Sequence, residues 1–383
     1  MDTNTANTLM AWYDANRRHL DWRIHDQQVA KGSTRNPYHT WLSEIMLQQT
    51  TVEAGKPYFL HFINTWPTVQ ELAKAHDDNV MKAWAGLGYY ARARNLLKAA
   101  RAIVEHHNGI FPADEKTLLT LPGVGPYTAA AIVSIGHNLP AKPVDGNIER
   151  IGARVLGSGL PVPSKRKHLH TLCESLYDND VAKKMPSDFP QALMDLGAQI
   201  CRPQNPKCLI CPIHNICESA NSDKAQKRPR RDPKKAKSQQ QATILLIKCP
   251  EKGWLLEKRA DTGLLGGSLG WPMTTTENTE PTPPEGLSIN WQNLGMYVHI
   301  FTHIHMTATV WVGTISPSQQ NEAFWNTMSK WATQDTPKWE WHKQIIASNL
   351  PGLMKKAWQQ NERDEKLSNT LSTRTQVTKP RPV

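Results

Sequence analysis

The first half of the chain repeats its apolar residues at helical spacing. Over residues 8–20, Leu9, Trp12, Tyr13 and Leu20 mark one side of an amphipathic helix. Over residues 38–55 (YHTWLSEIMLQQTTVEAG), Leu42, Ile45, Met46 and Gln49 follow the same period, with Glu44 set among the apolar positions. Residues 25–35, between these two, are polar and irregular and read as a loop. Further helices are expected over 58–66, 69–75, 77–85 and 90–107, and no period-two run interrupts them, so this half reads as all-α. Residues 117–121 and 126–136 form two more helices around Pro122-Gly123-Val124-Gly125. Pro122 cannot continue a helix, the glycines tolerate left-handed backbone, and Pro126 suits a first helical position.

Beyond residue 242 the pattern turns to short runs of β-branched and aromatic residues, at 242–247, 254–258, 296–301 and 307–313, with helices near 319–333 and 344–359. That is an α+β domain. Residues 222–241 (SDKAQKRPRRDPKKAKSQQQ) contain proline and no large apolar side chain, which marks a basic linker. The pattern therefore divides the chain into a helical domain (1–221), a linker (222–241), an α+β domain (242–362) and a polar, disordered tail (363–383).

The bulk properties narrow the partner. With 383 residues and a net charge of +11, the chain has room for two or three cores and favours a polyanion. No charged n-region with an apolar h-region opens it, and no apolar run approaches the roughly 20 residues that span a bilayer. A soluble cytoplasmic protein that acts as a monomer, with no membrane partner, is expected. Of six cysteines, Cys173 and Cys249 stand alone, while Cys201, Cys208, Cys211 and Cys217 crowd together with spacings of six, two and five residues. In a reducing compartment that crowding points to metal ligation. Zinc accepts four thiolates, but a single loop of cysteines suits an iron–sulfur cube better than the two separated knuckles usual for zinc.

Three other stretches carry chemistry. The glycine turn at Gly123 and Gly125 exposes backbone N–H groups at the start of a helix, a grip for a phosphate, and Val144-Asp145-Gly146-Asn147 sets a carboxylate close behind it. The same residues also read as a plain helix hairpin followed by an Asp-Gly turn. Glu44 is either a solvated face residue or, at the edge of an apolar pocket, an acid that keeps its proton near neutral pH. Gly86-Leu87-Gly88-Tyr89-Tyr90-Ala91-Arg92-Ala93-Arg94 is either a helix corner or a loop that wedges an aromatic ring into a base stack while arginines hold phosphates.

Taken together, the helix–Gly-Val-Gly–helix turn, Asp145 and the cysteine loop resemble the helix-hairpin-helix DNA glycosylases of the endonuclease III type. Trp41-Leu42-Ser43-Glu44-Ile45-Met46-Leu47-Gln48-Gln49-Thr50 is similar to the catalytic helix of the MutY-type adenine glycosylases. Residues 86–96 resemble that family's intercalation loop, and the second half resembles its Nudix-like domain, which reads 8-oxoguanine.

The resemblance implies a multidomain enzyme of base excision repair: an all-α helix-hairpin-helix glycosylase domain with a 4Fe–4S cluster on Cys201, Cys208, Cys211 and Cys217, plus an α+β Nudix-like domain. Its partner would be double-stranded DNA with adenine opposite 8-oxoguanine or guanine. Glu44 would protonate adenine, Asp145 would stabilise the oxocarbenium-like sugar, and Asn147 would order the water or the aspartate. Tyr127 stands where lyase relatives carry a Schiff-base lysine, so only the glycosidic bond should be cut. Gln49 and Tyr89 would wedge into the stack, Gly123 and Gly125 would hold phosphate, Gln191 would line the adenine pocket, and Phe301, Thr302 and His303 would read the lesion. The family has Phe-Ser-His at this last position, and its connection at 25–35 is shorter. No Nudix box with paired glutamates follows Gly266-Gly267, so nucleotide hydrolysis is not expected. An oxidised-pyrimidine glycosylase-lyase and an iron–sulfur DNA-binding module without chemistry are the competing readings.

Overall fold

The computed structural model describes residues 1–233, 236–260, 262–277, 282–332 and 337–376. It divides into two compact units. The first comprises Met1–Asp77 and Arg94–Lys234, and the second comprises Asp78–Ala93 with the chain from Lys235 onward. Sequence pattern places 78–93 in a continuous helical domain, yet its packing belongs to the second unit. Among the described residues no helix is long and apolar enough to cross a membrane.

The first unit is helical, as the pattern predicts, with boundaries set by local capping. Asp2 caps the helix Thr3–Asn16, which buries Leu9 and Tyr13 but stops short of Leu20. The expected helix at 38–55 is instead two, Pro37–Leu47 and Val52–Thr65. Asn36 caps the first with Pro37 at its first position, and Thr51 Oγ1 accepts from Ala54 N to start the second. Between them Gln49 sits in left-handed backbone at φ 57°. The polar 25–35 stretch holds a turn of helix, Asp26–Val29. The hairpin follows as Glu115–Leu118 and Pro126–Ala131, the latter running on as a π-helix over Ile132–Gly136. Gly146–Val155, Arg166–Glu174 and Asp188–Gln199 then close the core around Ile148, Ile151, Leu169, Phe189 and Leu193.

The basic stretch after residue 221 is less of a linker than its composition suggests. It forms a helical turn, Lys224–Lys227, with Ala225 buried, and a short strand β2 (Arg230–Arg231) that pairs in parallel with β1 (Pro161–Val162). Backbone pairing and the bonds from Ser164 to the Asp232 carboxylate do this without large apolar side chains in the stretch. Lys234 and Lys235 lie outside the described residues.

The second unit is built on a mixed sheet. Strands β3 (Ser238–Cys249), β4 (Gly253–Lys258), β5 (Leu269–Gly270), β6 (Met273–Thr276), β7 (Gln292–Ile300), β8 (Ile304–Thr314) and β9 (Lys338–His342) form the order β5-β4-β3-β8-β7, with β6 on β3 and β9 on β4. β3 runs parallel to β8 from Ser238↔Ile304 to Lys248↔Thr314. Alternation along β3 sends Ala242, Ile244 and Leu246 to one core and Leu245, Ile247 and Cys249 to another. The helix Gly352–Gln376 covers the first face with Leu353, Met354 and Ala357, and the helix Glu322–Trp331 covers the second with Phe324 and Met328. The first of these helices runs well past Arg363, where composition predicts a disordered tail. No Gly or Pro interrupts it, and side-chain bonds one turn apart, Trp358 to Glu362 and Asn361 to Glu365, support it. Residues 377–383 lie outside the described residues.

Candidate active site

The helix Pro37–Leu47 buries Trp41, Leu42, Ile45 and Met46, which turns half-buried Glu44 toward a cavity of about 650 Å³. Tyr127, from the first turn of the hairpin's second helix, reaches the same cavity and donates its hydroxyl to Glu44 Oε2 at 2.6 Å. Asp145 caps the helix Gly146–Val155, accepting from Asn147 N (2.9 Å), Ile148 N (2.7 Å) and Asn147 Nδ2 (2.9 Å). Arg150 Nη2 donates to Asn147 Oδ1 at 2.8 Å, so the Asn147 amide is held with its NH2 toward the aspartate.

The two carboxylates are not equivalent. Burial pushes Glu44 up to about 7; the Tyr127 hydrogen bond pulls against this, Asp145 adds to the rise and Arg23 opposes it. Burial raises Asp145 as well, but the bonds from Ile148 and Asn147 and the charge of Arg150 favour its ionised form. Glu44 thus titrates near neutral pH, where it can hold a proton, while Asp145 has three donors to stabilise its charge. The Tyr127 phenol is driven well above its ordinary value by burial and by both carboxylates, so it stays a donor. One neutral acid beside one anion is the arrangement that cleaves glycosidic bonds.

Glu44, Gln49, Tyr127, Asp145, Asn147 and Gln191 all line this cavity. Sequence reasoning missed other cavity residues. Arg18 and Arg23 pair with fully buried Asp195 at 2.6 and 2.9 Å, and half-exposed Arg166 and His170 hold buried Glu149 at 2.8 and 3.0 Å. The first set lies more than 170 residues apart along the chain, and no local pattern marks it.

The hairpin turn carries Gly123 at φ 77°, where a Cβ would lie 2.8 Å from Asn95 Cβ, and Gly125 precedes the helix Pro126–Ala131 as a cap without a side chain. The four crowded cysteines line a separate pocket with Ile151, Arg154, Ile200 and Ile213. Burial, with the neighbouring thiols, pushes Cys211 up to about 12 and raises Cys217, so thiolates there need a cation. Arg154 Nη1 reaches Cys201 Sγ at 3.3 Å, and Arg150 Nε donates to the Cys201 carbonyl at 2.7 Å, which ties this pocket to Asn147. Among the described residues no three ligand-type side chains close on a single-ion site.

The remaining predicted residues lie in the second unit. Phe301, Thr302 and His303 form the turn from β7 to β8, and the Tyr89 hydroxyl lies 3.1 Å from Thr302 Oγ1. Tyr89, at φ 49° and about half exposed, shares left-handed backbone with Gln49. Strain of this kind in a non-glycine residue collects at functional positions.

Residues 42–176 match the family model of the HhH-GPD superfamily base excision DNA repair proteins, and residues 243–360 match the NUDIX domain. With the two-carboxylate cavity, this makes the helical unit a DNA glycosylase, followed by a Nudix-like sheet domain. The adenine DNA glycosylase of Mus musculus is 32% identical, with 99% of this chain and 82% of that protein aligned, and that of Homo sapiens is 31% identical over 99% and 78%. A solved thermostable thymine-DNA glycosylase is 29% identical over 56% of this chain and 94% of its own, with a TM-score of 0.48. The chain belongs to the adenine DNA glycosylase family, base excision repair enzymes that act on DNA and remove adenine from it.

Proposed function

We propose that the chain hydrolyses the N-glycosidic bond of adenine paired with 8-oxoguanine or guanine, and that it is monofunctional. The observation that carries this reading is the Glu44–Tyr127 pair facing the same cavity as Asp145. Glu44 donates its proton to the extruded adenine ring. The C1′–N9 bond then breaks with its electron pair leaving on the base, and Asp145 stabilises the oxocarbenium-like sugar until water adds to C1′ and gives up a proton that restores the Glu44 acid. Asn147, fixed by Arg150, orients the aspartate. The hairpin offers a phenol and no amine, which supports hydrolysis without an imine.

Preference for the lesion rests on the second unit, where Tyr89 and Thr302 meet through their hydroxyls. Threonine keeps the hydroxyl of the family's serine. Cys201, Cys208, Cys211 and Cys217 fit a 4Fe–4S cluster: four thiols line one apolar-walled pocket, and burial disfavours free ionisation of Cys211 and Cys217. When bound, that group supplies a rigid anchor for the loop carrying Arg202 and Lys207. The test is single-turnover base release from duplexes with adenine opposite 8-oxoguanine, guanine, cytosine and thymine, with borohydride trapping alongside. Fast release opposite 8-oxoguanine and guanine with no trapped adduct supports the reading. Efficient trapping overturns the monofunctional assignment.

A further inference from the structure

Gln191 is fully buried and lines the catalytic cavity. Its Nε2 donates to the Ser187 carbonyl at 3.0 Å and lies 3.4 Å from both Ser187 Oγ and Asp188 Oδ1. A carbonyl only accepts, so turning the amide over would set oxygen against oxygen. The amide is thereby fixed with Oε1 as the acceptor left for the cavity, and Oε1 has no hydrogen-bond partner among the described residues.

Ser187 and Asp188 open the helix Asp188–Gln199, and this end has no side-chain cap of its own. Its support comes from residues 25–35. Asp26 N donates to Asp188 Oδ2 at 3.1 Å, and His25 Nδ1 lies 3.6 Å from Asp188 Oδ1. Arg35 Nε donates to Ser187 Oγ at 2.9 Å, and its Nη2 bonds the Asp26 carboxylate. Ser187 Oγ, accepting from Arg35, donates a hydrogen bond to the Ile135 carbonyl at 3.2 Å, within the π-helix.

We propose that Arg35 is a positioning residue for base selection. Braced on Asp26, it clamps the Ser187–Asp188 turn and so holds Gln191 Oε1 as the acceptor for the exocyclic amino group of the extruded base. The proposal rests on the adenine-removing reading above. Adenine presents an N–H donor to that oxygen. Unsubstituted purine presents only C–H and leaves a buried acceptor unpaired, which a site of this kind penalises.

The experiment compares kcat/KM for the full chain on duplexes carrying adenine or unsubstituted purine opposite guanine. Arg35→Ala should reduce the adenine-to-purine ratio by roughly tenfold, about 1.4 kcal/mol. Arg35→Lys, which keeps one donor for Ser187, should restore part of it. Gln191→Leu should lower the ratio at least as far, and adding Arg35→Ala to it should change the ratio no further. A merely structural role would slow both substrates equally, leave the ratio intact and overturn the proposal. Should Arg35→Ala not fold, Ser187→Ala breaks the same link and reads the same ratio. A wild-type chain that releases no adenine overturns the reading itself, whereas an active wild type with an unchanged ratio in the variants overturns only the clamp.

Discussion

Replacing Glu44 by glutamine removes the proton that the cavity is built to hold, while keeping the size of the side chain and an oxygen to accept from Tyr127. A positioned general acid contributes roughly 10²–10⁴-fold. Single-turnover adenine release should therefore fall by at least about a hundredfold. Duplex affinity should change by less than about threefold, because no phosphate contact is lost. The same substitution should stabilise the fold. Glu44 titrates near 7 in the folded chain against an ordinary value of 4.5, so the folded state binds this proton more tightly than the unfolded one. The stability it contributes is complete below about pH 4.5 and is lost as pH rises through 7. The gap, 7 − 4.5 or about 2.5 in pH, corresponds to at most about 3 kcal/mol, reduced by the opening of the cavity to water. Glutamine never ionises, so the Tm advantage of Glu44→Gln should be absent at pH 4, grow between pH 5 and 7, and level off above pH 8. Paired measurements of base release and thermal unfolding across that range check both halves. A variant that keeps more than a few per cent of the rate, or whose Tm advantage does not grow with pH, would refute the account of Glu44 as a buried acid.

The other outcomes follow from the same geometry. Asp145→Asn loses the charge and sets one amide NH2 where three donors now point, so release should fall about a hundredfold or more in single-turnover assays. Tyr127→Phe removes the bond that holds Glu44 down, so the alkaline limb of the pH–rate profile should move upward from about 7. Thr302→Ala should narrow the preference for 8-oxoguanine over guanine by about tenfold, since one hydroxyl contact is lost, whereas Thr302→Ser should be nearly neutral. Cys208→Ser should lower folded yield, iron content and DNA affinity together, with iron counted by metal analysis.

Local chemistry made much of this legible before any fold was known. Apolar spacing from residue 38 marks the helix that carries Glu44, glycines 123 and 125 mark a turn, and the β-branched run at 242–247 marks a strand, because each depends only on neighbours in sequence. The cysteine spacing and the polarity of residues 144–147 were visible in the same way. Residue patterns even marked Glu44, but offered no choice between a solvated carboxylate and a protonated acid. That choice belongs to the tertiary structure: burial and a hydroxyl 83 positions away set where Glu44 titrates. The meeting of Tyr89 with Thr302 across 213 positions, the collection of Arg18 and Arg23 by Asp195, and the bracing of the Gln191 helix by Arg35 were equally hidden. So was the folding of residues 224–232 and 364–376, where polar composition predicts a linker and a tail, since backbone hydrogen bonds leave no trace in hydropathy. Protonation, side-chain polarity and contact all depend on which distant groups exclude water together, and only the folded chain decides that.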